Sequence, residues 1–349
     1  MSQKALVLQS KFGSFEVVTI PKPTSALKGE LLVKVRTTAI NPVDWIIQAR
    51  ELPYIADDKY PAILGLDIAG DVEDVGEGVT GFNKGDRVFF EGKFVNEYAG
   101  YQQYVRVPAQ LTAKIPANLS YSQAATVPVC FVTAAIGLFA NEPIGSGLNP
   151  TFAQNVKELN GKTALVIGGS TSVGQYVIQL LRYAGFSNII VYASAHHFSY
   201  IKDLGATATI DRKTVSFSDL PAAVKKLTST PVEVVFDTFS ADGSQQAGYN
   251  ILADGGKMVI TLLDDIKDKV ESSGKKVLHV LGFSQMEANR EFGKKIFEKL
   301  PALLAEETIV ANRLENIPNG LEGALEGMKR LRNNEVSGLK LVVHPQDTK

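Results

Sequence analysis

The chain has little that could hold a metal or a cross-link: among 349 residues there are one cysteine, Cys130, and four histidines. A lone cysteine excludes an intrachain disulfide and a thiolate-cluster zinc site, and it fits a reducing compartment. Cys130 lies in the apolar run VPVCFVTAAIGLF, where a packed, inert thiol is expected. An excess of charge is also missing. With 36 Lys and Arg against 37 Asp and Glu the formal net charge is −1, and the basic residues are scattered. That leaves no field for nucleic acid or an anionic membrane, so neither is expected as a partner. MSQKALVLQS contains no apolar run of signal-peptide length, HPQDTK carries no retention or peroxisomal signal, and a cytoplasmic location is expected. The nearest approach to a membrane span, Ser120 to Asn141, is broken by Gln123, Thr126, Pro128 and Thr133 and reads as a buried helix between domains. Repeats and low-complexity segments are absent as well.

With 45% hydrophobic residues, the chain is long enough for two cores. Up to about residue 125 it reads as mainly β, with ALVLQ, FEVVTI, ELLVKVRTTAI, DIAGDVEDVG and GDRVFF separated by turn residues. Strands at this spacing suggest a small, partly open barrel. From about residue 160 the rhythm changes to strand, helix, strand. TALVIG, NIIVYAS, ATATI, VEVVFDTF, GKMVITLL and KKVLHVLGF alternate with helical stretches such as Phe198 to Leu204 and Leu220 to Leu227, as in a doubly wound parallel sheet. Two amphipathic helices, Asn289 to Glu306 and Leu321 to Arg332, precede a last strand, LKLVVH, which is expected to rejoin the barrel.

Within the second half, Thr163 to Gly185 reads as a buried strand, a glycine turn and a helix with Val173, Val177, Leu180, Leu181 and Ala184 on one face. A helix entered this way points unpaired N–H groups and the positive end of its dipole at the turn, where a pyrophosphate could sit. Gly169 and Gly174 match the G-x-G-x-x-G fingerprint, but Thr171 stands where the middle glycine belongs. At the ribose-reading distance there is no carboxylate either. Ser194-Ala195-His196-His197, with Arg212 and Lys213 beyond the next strand, suggests NADPH over NADH, because an acidic residue would repel a 2′-phosphate.

Several further segments belong together: Asn41-Pro42-Val43-Asp44-Trp45, Gly65-Leu66-Asp67-Ile68-Ala69-Gly70, Val75-Gly76 with Gly85-Asp86-Arg87-Val88, Ile115-Pro116 before Ala124-Ala125, and Ser337-Gly338-Leu339-Lys340-Leu341-Val342. In order and over nearly the full chain they resemble the medium-chain dehydrogenase/reductase superfamily. NPVDW, GLDIAG and AATVPVCFVTA are most similar to its fungal enoyl-reductase-like, quinone-oxidoreductase-like branch, which includes trans-acting enoyl reductases of polyketide synthesis and yeast aldehyde and enone reductases. The resemblance implies an α/β protein with a GroES-like β-barrel catalytic domain (1–125 and 307–349) and a Rossmann NADP-binding domain (126–306).

The zinc-dependent members use a Cys near the first motif, a His-Glu in the second and a four-cysteine lobe. Here Pro42 and Asp44, Leu66-Asp67, and a cysteine-free Glu91 to Tyr101 stand in those places, and the four histidines do not form a zinc set. No metal site is therefore expected. The Lys that the fungal branch often carries two residues after the motif Asp is replaced by Ile46.

By resemblance, Asn41, Pro42, Val43 and Asp44 would line the nicotinamide side of the cleft, although Asn-Pro-x-Asp is also ordinary turn chemistry. Gly169, Ser170, Thr171, Ser172, Val173 and Gly174 would hold the pyrophosphate. Ser194 and His197 would take the 2′-phosphate and Arg212 the adenine or that phosphate; His197 could equally be a solvated helix-start residue. Leu262 and Leu263 would pass the nicotinamide with backbone groups, or simply end a core strand. Lys340 would approach the cofactor, or face solvent from its strand. Thr133 and Tyr54 are candidate substrate-pocket donors and, with Asp44, the candidate catalytic residues; Tyr54 could instead be a surface loop residue.

The expected activity is NADPH-dependent, zinc-independent reduction of an activated C=C bond in an enone, enal, enoyl or quinone substrate. Aldehyde reduction, and NADPH binding without turnover by a sensor or synthase partner, are the alternatives. Lys276 to Phe283 reads as a sheet edge, which makes a homodimer possible.

Overall fold

Ala164, Leu165, Val166 and Ile167 are completely buried in the strand Thr163–Ile167, as a short, unbroken apolar run requires of a strand covered on both faces. Parallel neighbours flank it on either side. The computed structural model describes residues 1–50 and 52–349, and it divides into two compact units, Met1–Val129 with Gly293–Lys349, and Cys130–Phe292.

In the second unit the sheet is wholly parallel. Its strands run, from one edge to the other, Ala208–Asp211, Asn188–Ala193, Thr163–Ile167, Val232–Asp237, Leu252–Ile260 and Lys276–His279. This is the doubly wound order in which the first strand lies centrally and the chain reverses beside it, so that ligands bind beyond the carboxyl ends there. Val232–Asp237 ends before Thr238, and Leu252–Ile260 starts earlier and ends earlier than its apolar pattern suggests. Leu262 and Leu263 consequently lie beyond the strand, 48% and 78% exposed; they do not end a core strand. The helix Ser172–Ala184 is buried nearly all round, with Gln175, Tyr176 and Gln179 covered as well as the expected apolar face.

The first unit holds two sheets. A small antiparallel one orders Phe15–Pro21, Ser2–Leu8 and Ala62–Ile63. The larger orders Leu314–Asn316, Lys340–Val343, Glu30–Ala39, Asp67–Val75, Arg87–Glu91 and Thr112–Lys114, with Tyr104–Pro108 pairing on Glu30–Ala39. Glu30–Ala39 divides one of its edges: Glu30 to Lys34 pairs with Tyr104–Pro108, while Thr38 and Ala39 take Lys340–Val343. The chain's last strand is thereby brought beside the first motif.

Ser120 to Asn141 is not one helix but two, Tyr121–Ala124 and Pro128–Phe139. Pro128 has no N–H to continue the first, and the Thr126 hydroxyl bonds back to Gln123 O at 2.8 Å, closing it. The stretch Tyr121–Phe139 is apolar and long enough to cross a membrane by composition, yet most of it is buried within the protein.

Candidate functional site

The glycine turn carries its own explanation for departing from the fingerprint. Gly168 has φ +79°, a conformation that favours glycine, and a Cβ on Gly169 would lie 2.1 Å from a Val191 methyl. A Cβ on Gly174 would lie 2.4 Å from Gly168 O. Thr171, in the middle-glycine position, is the N-cap of Ser172–Ala184: its Oγ1 accepts from Gly174 N at 3.0 Å. The side chain is therefore occupied by the helix end. Ser170, Thr171, Ser172 and Val173 remain partly exposed. The first N–H groups of a helix have no intrahelical acceptor, and they carry the positive end of its dipole. Close-packed glycines with a partly exposed helix start fit a dinucleotide pyrophosphate.

One strand further along, Ser194 and Arg212 come together, the guanidinium Nε donating to Ser194 Oγ at 2.6 Å. Ser194 is buried and Arg212 exposed. His197 is also buried, its ring 3.9 Å from that of the exposed His196, so the solvated alternative for His197 does not hold. A carboxylate that the spacing did not anticipate reaches this corner from the next strand. Asp211 Oδ1 accepts from Ala195 N at 3.2 Å and Lys213 N at 3.1 Å, so its negative charge is partly spent on backbone donors.

In the first unit, the motif residues form a buried network. Asn41, Asp44, Asp67, Tyr101 and Lys340 are all inaccessible or nearly so, Lys340 being only 3% exposed. A solvent-facing Lys340 is thus excluded. Its ammonium lies 2.8 Å from Asp67 Oδ2 and donates to Asn41 Oδ1 at 2.5 Å. Asn41 Nδ2 in turn donates to Asp67 Oδ2 at 2.9 Å, and Val129 N to Asp67 Oδ1 at 2.7 Å. Asn-Pro-Val-Asp is therefore no simple turn: it opens the helix Pro42–Ala49, with Asp44 Oδ2 accepting from Asn41 N at 2.8 Å. Pro42 is exposed and Val43 partly so.

Tyr101 OH donates to the same Asp44 oxygen at 2.6 Å, while Asp44 Oδ1 has no hydrogen-bond partner. Burial outweighs these donors and the nearby Lys340 charge, pushing the Asp44 carboxyl up to about 6. Tyr101 is raised well above the usual phenol range, first by burial and then by Asp44. Both side chains are completely buried and bonded to each other.

Of the other candidates, Tyr54 is half-buried and stacked on Phe94 with ring centroids 5.6 Å apart. Thr133 lies on Pro128–Phe139, partly exposed, packed so closely on Gly282 that a Cβ there would come within 2.0 Å of its hydroxyl. Among the described residues no three His, Cys, Asp or Glu side chains converge on a point that could hold a metal. In the second motif, Asp67 is already engaged by two side chains, Asn41 and the cation Lys340, and by the backbone N–H of Val129. These donors do not fit a zinc ion.

Residues 27–117 match the alcohol dehydrogenase GroES-like domain and 172–295 the zinc-binding dehydrogenase domain. A zinc-type alcohol dehydrogenase-like protein of Schizosaccharomyces pombe is 31% identical over 368 residues, covering 97% of this chain and 99% of its own. The chain belongs to the medium-chain dehydrogenase/reductase superfamily. Trans-enoyl reductase ACTTS2 of Alternaria alternata is a further relative, 31% identical over 361 residues and 98% of each chain. The crystal structure of an alcohol dehydrogenase superfamily protein from Novosphingobium aromaticivorans shares the fold, with a TM-score of 0.79 at 24% identity over 97% of this chain and 99% of that one. This member of the superfamily is accordingly an α/β oxidoreductase with a GroES-like and a Rossmann-like part.

Sequence reasoning quoted Asp67 within a motif but gave it no role, and it missed Tyr101, Thr238 and Gln245 altogether. The first two could have been suspected only by asking what would neutralise Lys340 and Asp44 inside a core. Thr238 bonds to backbone some 70 residues earlier and Gln245 to a loop 18 to 20 residues later, which no local pattern reports.

Proposed function

We propose that this enzyme is a zinc-independent, NADPH-dependent reductase of activated C=C bonds in enone, enal, enoyl or quinone substrates. The observation that carries this reading is the ion pair of Lys340 with Asp67, held at 2.8 Å in the motif where zinc-dependent members place ligands. A protein without a Lewis acid is suited to a reaction whose charge spreads into an enolate and unsuited to one that must stabilise a localised alkoxide. Kinship with a trans-enoyl reductase over almost the whole chain supports the same choice.

When bound, NADPH supplies a hydride for the β-carbon of the substrate. The start of Ser172–Ala184 would orient the pyrophosphate through its N–H groups, with Gly169, Ser170, Thr171 and Gly174 shaping the approach. Arg212 would pair with the 2′-phosphate, steadied by Ser194. The backbone of Leu262 and Leu263 would face the nicotinamide. Thr133 in the second unit and Tyr54 in the first are each a proposed hydrogen-bond donor to the substrate. Asn41, Asp44 and Lys340 would act one layer back, fixing the local backbone and its charge balance.

The test is isotopic. With 4-deuterated NADPH and an α,β-unsaturated ketone or aldehyde, deuterium is expected at the β-carbon of a saturated carbonyl product. Deuterium at the carbonyl carbon of an allylic alcohol would assign aldehyde reduction instead, and binding without consumption of NADPH would assign a non-catalytic role.

A further inference from the structure

We propose that Thr238 and Gln245, at the two ends of the turn between Val232–Asp237 and Ser244–Ile251, are positioning residues that set the phosphate-facing and nicotinamide-facing loops independently of each other. The inference rests on the NADPH reading of those loops, and it concerns what holds each in shape.

Thr238 leaves the central part of the sheet beside the glycine turn. Its Oγ1 is 2.9 Å from Ile167 O, 3.0 Å from Gly168 O and 2.8 Å from Thr171 Oγ1. Only one assignment of protons serves all these contacts. The carbonyls of Ile167 and Gly168 can only accept, so the Thr238 proton is shared between them and the Thr171 proton goes to Thr238 Oγ1, while Thr171 Oγ1 accepts from Gly174 N. A single hydroxyl thus joins the last carbonyl of the strand, the φ-positive glycine and the N-cap of the helix. Removing it frees the turn at the point where the pyrophosphate would rest.

Gln245 works on the other loop. It is buried, and its whole amide is spent on backbone: Nε2 donates to Leu263 O at 2.9 Å and Ser240 O at 3.1 Å, and Oε1 accepts from Asp265 N at 3.1 Å. Thr261 N is tied to Ser240 Oγ at 2.9 Å. With Leu262 and Leu263 exposed, side-chain burial does little to hold residues 261–265. Their shape depends on hydrogen bonds, and Gln245 supplies those at Leu263 and Asp265.

Two ligands and one exchange measurement separate the roles. 2′-Phospho-ADP-ribose has the pyrophosphate and the 2′-phosphate but no nicotinamide. Losing a buried hydrogen-bonding group is worth about a tenfold change in affinity or opening. Thr238→Val should weaken this fragment and NADPH alike by about tenfold and speed amide hydrogen exchange in residues 168–174 only, and Thr238→Ser should restore both. Gln245→Met should leave the fragment bound within about twofold, weaken NADPH by about tenfold and speed exchange in residues 261–265 only. Should Gln245→Met unfold the protein, Gln245→Asn, which keeps the amide but is one methylene too short to reach all three backbone partners, should show the same pattern more weakly. Equal effects of the Gln245 variant on both ligands, or exchange that rises in both loops together, would overturn the division of labour. Wild-type protein that binds neither ligand would instead overturn the NADPH reading, and the exchange pattern would still decide whether the two anchors act separately.

Discussion

The polar motif network of the first unit is sealed in, whereas the helix start and the loop at Leu262 and Leu263 in the second are partly or fully exposed. Asn41, Asp44, Asp67 and Lys340 spend their hydrogen bonds on one another and on Tyr101 and Val129 N. Ser170 to Val173, Arg212, Leu262 and Leu263 remain accessible around a packed turn. The contrast separates two reasons for a motif to be distinctive. In the first unit the residues are costly to bury and must be balanced inside the protein. In the second, the glycines make space for close packing and the start of the helix is left partly exposed.

The largest effect should come from breaking that internal balance. Lys340→Met removes the cation from a buried pair while Asp67 keeps only Asn41 Nδ2 and Val129 N. A loss of about 3–5 kcal/mol is expected from denaturant unfolding, with Asp67→Asn in the same chain recovering part of it. A surface-like loss below about 1 kcal/mol would place Lys340 on the accessible side of the contrast.

Asp44 should give the next largest effect, and its sign follows from its raised pKa. The native state holds the proton more tightly than the unfolded chain, whose carboxyl titrates near the usual value. Stability from this group is therefore greatest below about pH 4, falls as the pH rises towards about 6, and is flat beyond; the difference amounts to about 3 kcal/mol. Both donors meet the same oxygen, Oδ2, so Asp44→Asn can keep them. Unfolding curves of this variant should lack that acid-side gain, and a pH dependence identical to wild type would remove Asp44 from the buried set.

In the second unit the glycines should be sensitive through packing. Gly169→Ala places a methyl against Val191 and should cost about 1–3 kcal/mol. Val191→Ala added to it should recover part of that cost, because the space taken is the space released. If the pair is no better than the sum of the two single variants, the close approach is not what makes Gly169 necessary.

How much of this was legible in advance follows the same divide. The run Ala164 to Ile167 and the period of Val177, Leu180 and Leu181 report burial by near neighbours, and strand and helix followed from them. The positions of Thr171 and Ser194 were readable from spacing alone. Lys340 meets Asn41 across 299 residues of chain, so its burial depended on a strand pairing that no local period encodes. Leu262 and Leu263 misled for a related reason: an apolar run indicates a strand but not where its pairing stops. Asp211 was overlooked because the fingerprint directs attention to the end of one strand, and the carboxylate comes from its neighbour.

That overlooked carboxylate sharpens the smallest of the expected effects. Ser194 accepts from Arg212 Nε at 2.6 Å, which steadies a guanidinium that is otherwise exposed. Asp211 lies close by, but its Oδ1 is engaged by two backbone N–H groups and so competes weakly for that cation. Ser194→Asp would present a second carboxylate directly to Arg212, pairing the charge proposed to take a 2′-phosphate and adding like-charge repulsion. Against NADPH this is expected to cost about 1–2 kcal/mol, a rise of roughly tenfold in the Michaelis constant, with NADH nearly unaffected. Arg212→Gln should act in the same direction, and adding it to Ser194→Asp should cost less than the sum, since the two changes act on one contact. If the Ser194 variant shifts the NADPH and NADH constants equally, the 2′-phosphate does not rest at this corner, and the preference must be sought at Lys213 or not at all.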